Sequence, residues 1–180
     1  MTEPTDTDLV ARFQRGDLAA FEALFERHRR GIYGYALALC SSRETAADAV
    51  QDTWLALIES PQKFAAARNL AAYLYAAARN RVMELGRQQS RARKAASELP
   101  PLVKRLDPAS SAQQAENLRQ LNQALDALPQ DQKEVVLLRM YEGMKFQEIA
   151  QVTGAGIKTV ESRYRLALEK LQVWLTGATP

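Results

Sequence analysis

Apolar residues in this chain recur every three or four positions almost from end to end, and no segment alternates apolar and polar residues as a half-buried strand would. A side-chain period near 3.6 in every candidate element leaves only helix-on-helix packing, so the expected fold class is all-α. The first helix opens at Thr5 and Asp6 and ends near Gly16. The second runs from about Leu18 to Cys40, carrying Phe21, Leu24, Phe25, Ile32, Tyr35 and Leu39 at helical spacing. Ser41 and Ser42 break it and cap a third, over roughly 43–59, which Ser60-Pro61 ends because a residue before proline avoids the helical region. Residues 61–68 read as a loop, and a fourth helix follows from Asn69 to about Ser90. The next stretch, about 92–114, holds three prolines and several serines without an apolar face, and reads as a flexible linker. Four more helices are expected beyond it, at about 115–127, 130–142, 146–152 and 156–175. Two small helical domains, 1–91 and 115–180, joined by a basic tether at 92–114, are the expected architecture.

Charge divides the chain unevenly. Residues 1–60 carry 6 basic and 10 acidic side chains, residues 61–105 carry 10 and 2, and residues 106–180 carry 8 and 9. A basic band in an otherwise acidic chain points to a polyanion partner. Catalysis has little to work with: Cys40 is the only cysteine, His28 the only histidine, and no glycine-rich phosphate loop occurs. Neither an enzyme nor a metal or other cofactor is expected. The polar, acidic start lacks a secretory signal and no apolar run approaches membrane-spanning length, so membrane insertion is not expected and a cytoplasmic location is.

Three faces carry the functional reading. FQEIAQVTGAGIKTVESRYRLA has helix-turn-helix spacing: Ala150 is small where two helices cross, and Gly154 stands four residues on, where the turn requires a positive φ. Ile149, Ile157 and Val160 are expected to hold the two helices together, with Tyr164, Ala167 and Leu171 continuing the buried face. Lys158, Ser162 and Arg165 then point outward, as groups that contact phosphates and purine edges do. On the fourth helix an apolar arc of Ala71, Leu74, Ala78, Val82 and Leu85 stands opposite Tyr73, Asn80, Arg81, Glu84, Arg87, Gln88 and Arg91. Arginines neutralise phosphates, amides read base edges, and an aromatic ring stacks on an unpaired base. The loop before it, with Lys63 and Arg68, is expected to offer a pocket for an extruded base. On the third helix Val50, Trp54, Leu57 and Ile58 can pack inward. Asp48, Gln51, Asp52, Leu55 and Glu59 form a second, acidic stripe, a poor DNA surface and a suitable protein-docking one.

Taken singly these faces also fit a free-standing helix-turn-helix regulator binding a palindrome as a dimer, or a helical adaptor whose basic band is merely solvated. In this order and spacing, however, they resemble the extracytoplasmic-function group of the sigma-70 family, over about residues 8–91 and 116–175. ADAVQDTWLAL resembles the segment that docks on the clamp helices of the largest RNA polymerase subunit. That likeness implies contacts from Asp48, Gln51 and Trp54, beside Asp52 and Leu55 of the stripe. LAAYLYAAARNRVMELGRQQSR is similar to the segment that melts and reads the minus-ten element, placing Asn80, Arg81, Arg87 and Arg91 on DNA. LPQDQKEVVLLRMYEGMKFQEIAQVTG followed by TVESRYRLALEKL is similar to the domain that reads the minus-thirty-five element. Lys158, Thr159, Ser162, Arg163 and Arg165 occupy the matching positions there. The tether is too short for the middle domain of primary sigma factors, which is what points to the small group. The resemblance implies core polymerase and promoter DNA as partners, and an anti-sigma factor or other regulator. Thr45, Ala46 and Ala47 stand where acid is usual in the docking segment. Modification of Thr45 or Thr53 would add negative charge there.

Overall fold

In the computed structural model, residues 3–65, 69–93 and 120–176 are described. Every regular element among them is helical. The chain forms two compact units, one of residues 1–100 with 151–154 and one of residues 101–150 and 155–180.

The first unit starts with α1 (Asp6–Gln14). Its end is fixed by a capping box in which the Thr5 hydroxyl accepts from the Asp8 amide while the Asp8 carboxylate accepts from the Thr5 amide. Helix α2 (Leu18–Cys40) is capped by Asp17 and stops at Ser41, whose φ of 54° turns the chain left-handed. Ser42 then caps α3 (Arg43–Glu59). A further short helix, α4 (Pro61–Ala65), occupies part of the stretch expected to be loop. Proline at a first helical position costs no hydrogen bond, and Phe64 is buried, so local geometry and burial agree on this turn of helix. Asn69 caps α5 (Leu70–Arg93), accepting from the Ala72 amide at 3.0 Å. The helix runs past the expected linker start at 92; the rest of the expected linker lies outside the described residues.

Helix α3 packs against both α2 and α5, and α1 closes over α2 and α4. Ala36, Ala46, Ala49 and Ala78 are fully buried in this core beside Leu24, Ile32, Leu57 and Leu74, and the small side chains let the helix axes approach closely. Aromatic rings fill one end. Trp54 meets Phe25 edge-on at 5.1 Å and Phe21 at 6.0 Å, and Phe21 meets Phe13 at 5.2 Å.

One cluster ties the N-terminus down. The Asp6 carboxylate accepts from Arg27 at 2.6 Å and from His28 Nε2 at 2.8 Å. Burial pushes the Asp6 carboxyl up, but the hydrogen bonds and charges of His28 and Arg27 outweigh it and hold the pKa below its ordinary value. A carboxylate with a lower pKa folded than unfolded adds stability above its unfolded pKa of about 3.9, and loses it as pH falls through the folded value. Asp6→Asn is therefore expected to melt below the wild type at neutral pH. That gap should close below about pH 4, as thermal melts across the acid range would register.

The rest of the described chain, most of it in the second unit, forms α6 (residues 120–126), α7 (Gln130–Met140), α8 (Phe146–Thr153) and α9 (Ile157–Thr176). Ala124, Leu125, Leu128, Val136, Ala167 and Leu171 form its core, with Leu121, Leu137 and Tyr164 packed at the edge. Gly154, at φ 71°, makes the turn between α8 and α9, a conformation that L side chains rarely adopt.

Candidate nucleic-acid interface and docking face

Helix α3 presents Asp48 and Gln51 to solvent, with Asp52 half-buried beside them. Leu55, 44% exposed, and Ile58, 48% exposed, supply the apolar part of the face. Ile58 was expected to point inward and does not. Trp54, expected among the docking contacts, is only 4% exposed and sits in the aromatic cluster. Its ring packs behind α3, against Phe21 and Phe25, and leaves almost no surface exposed. Thr45 and Thr53 are likewise buried, and the Thr53 hydroxyl donates to the Ala49 carbonyl at 2.8 Å. In the folded state neither threonine is a modification site.

Helix α5 exposes Asn80, Glu84, Arg87 and Gln88 along one side. Tyr73 lies at the same face with its ring 4.6 Å from Phe64 of α4, and Lys63 is exposed on α4. The stretch expected as a loop before this helix is helical in its described part, α4. Arg68 lies outside the described residues, as does the Arg91 side chain, although Arg91 belongs to α5.

Arg81 is engaged on two sides. Its Nε donates to Asp52 of α3 at 2.5 Å, and its Nη1 donates to Glu84 at 2.9 Å. Gln88 also donates to Glu84, at 3.5 Å. Hydrogen bonds and charge from Glu84 and Asp52 raise the guanidinium's pKa above its ordinary value. The helical wheel grouped Arg81 with Asn80 and Glu84 but gave no sign of a partner 29 residues away in the chain.

In the second unit Ile149 of α8 and Val160 of α9 are fully buried, as expected. Ile157, expected beside them, is 43% exposed, because it occupies the first position of α9, before the helix meets its neighbours. Lys158 and Thr159 are exposed, Ser162 is half-buried, and Arg165 stands out to solvent with Glu169 3.4 Å away. Arg163 is different: its Nε donates to Asp131 in the first turn of α7 at 2.9 Å. It braces the helix that the other four side chains decorate.

Among the described residues no group of three or more His, Cys, Asp or Glu side chains is placed to hold a metal ion, and no helix is long and apolar enough to cross a membrane.

The fold and these faces define a two-unit, all-helical protein carrying a helix-turn-helix. Residues 24–92 match the model for sigma-70 region 2, and residues 118–171 match that for sigma-70 region 4, together about two thirds of the chain. The chain is 28% identical over 144 residues to the ECF RNA polymerase sigma factor EcfG of Rhodopseudomonas palustris (strain TIE-1), covering 80% of this chain and 78% of that one. Its fold matches the sigma factor RpoE from Bartonella quintana, solved with the anti-sigma factor NepR, at a TM-score of 0.75 and 24% identity over 88% of this chain and 98% of that one. CnrH, solved with the cytosolic domain of CnrY, matches at 0.69 and 26% identity, covering 97% and 99%. The chain belongs to the sigma-70 family of RNA polymerase sigma factors, in its extracytoplasmic-function group.

Proposed function

We propose that the chain docks on core RNA polymerase through the α3 face, using Asp48, Gln51, Asp52 and Leu55, and directs it to promoters. The observation that carries this reading is the pairing, within one unit, of an acidic stripe on α3 with a basic, amide-rich face on α5. One surface suits a protein and the other a polyanion. The α5 face, with Asn80, Arg81, Glu84, Arg87 and Gln88 and with Tyr73 and Lys63 beside it, takes the opened minus-ten strand, and the sequence adds Arg68 and Arg91 as further contacts. Helix α9, through Lys158, Thr159, Ser162 and Arg165, reads the minus-thirty-five element, with Arg163 holding it in place. No covalent chemistry is involved: unpaired bases gain partners only once the duplex opens, so binding energy drives melting. Because both units belong to one chain, each contact raises the effective concentration of the other. The protein acts in the cytoplasm, where its polymerase is, and an anti-sigma factor is the expected regulator.

The test is binding to sigma-free core polymerase. Wild type should bind tightly, and Asp48→Ala/Gln51→Ala should lose about tenfold or more in affinity. Arg87→Ala should keep that affinity and lose open-complex formation. Absence of core binding together with specific duplex affinity in the isolated protein would instead make it a free-standing regulator.

A further inference from the structure

Asp52 lies in the α3 docking stripe and Arg81 in the α5 DNA face, and a direct ion pair joins them. Glu84 closes on the same guanidinium from within α5. A phosphate approaching Arg81 therefore meets one positive charge flanked by two negative ones, with two of the five N–H donors, one on Nε and one on Nη1, already in use. All three groups remain partly open to water, so the bonds are weak enough to exchange for other partners.

We infer that Asp52 masks the DNA face of the free protein, and that its capture by a cationic group on the polymerase releases Arg81 to a DNA phosphate. The inference rests on the docking and promoter reading above. It makes one carboxylate common to both faces, so the two binding events are coupled. Whatever draws Asp52 away from Arg81 strengthens DNA binding, and by linkage DNA strengthens the docking in the same ratio. A free sigma subunit would then hold DNA poorly, without needing a second domain to cover the site.

The experiment uses the full chain and a labelled single-stranded oligonucleotide of mixed sequence, followed by fluorescence anisotropy over a salt series. Circular dichroism checks that each variant is folded. Asp52→Asn should bind about fivefold more tightly than wild type at low salt, the worth of one exposed ion pair. Its dependence on log salt should steepen by about 0.7, one further phosphate contact on a single strand. Glu44→Gln removes an equal charge from the exposed first turn of α3 and should gain less than about twofold, through general charge alone. The Asp52→Asn gain should vanish in Asp52→Asn/Arg81→Ala. The inference is overturned if Asp52→Asn binds no better than wild type or Glu44→Gln, or if its gain survives loss of Arg81. Core polymerase binding by the wild type, measured alongside, judges the sigma reading separately. Its failure would overturn that reading while the oligonucleotide data still decide whether Arg81 is masked.

Discussion

Trp54→Ala should destabilise the first unit by about 3–5 kcal/mol, lowering its melting temperature by roughly 15 °C or more. Truncation opens a cavity against Phe21 and Phe25 and removes the ring that holds α3 to α2. Polymerase docking should fail with it, although Trp54 has almost no surface of its own, because the stripe of Asp48 and Gln51 stands on the helix this ring supports. Trp54→Phe separates support from contact. The indole N–H has no hydrogen-bond partner in its buried site, so phenylalanine gives up volume but no satisfied polar group. Its cost should stay near 1 kcal/mol, within the range of conservative core changes, with docking retained. Chemical denaturation followed by circular dichroism, with core binding alongside, checks both. A Trp54→Phe variant that folds normally yet cannot bind polymerase would mean that the indole is itself a contact.

Ile149→Ala should remove about 2–5 kcal/mol from the second unit. Ile149 is fully buried in α8, so truncation leaves a cavity in the packing that holds this helix. The expected phenotype is the inverse of the first: the second unit melts early, minus-thirty-five recognition is lost, and docking through α3 survives. Calorimetry should show one transition moved and the other unmoved, because the cores of the two units are built from different residues. A shift of both transitions would contradict that independence.

Most of the helices were legible in the sequence because each carries its own local instructions. Ser42 before α3 and Ser60-Pro61 after it are punctuation that any helical segment would obey. Helix α4 was missed because its evidence is not local: a five-residue segment has no periodicity to read, and the burial of Phe64 depends on α1, α3 and α5. The faces on α5 and α9 followed from angular position alone, and the wheel correctly turned Arg165 outward and Val160 inward. What it could not supply was pairing across elements. Arg81 with Asp52 and Arg163 with Asp131 each join helices whose approach is set by the whole core. Trp54 was placed both inward and at the docking surface, and burial decides between them.

The Arg163–Asp131 brace bears on any attempt to re-engineer promoter choice. On the promoter reading proposed above, grafting α9 from a relative would transplant the side chains proposed to read bases but not the acid in the first turn of α7 that pairs with Arg163. A graft lacking the α7 partner would leave Arg163 without the carboxylate it now holds. On that reading the unit to transfer is the α7–α9 assembly, because the two helices pack on each other and share this pair.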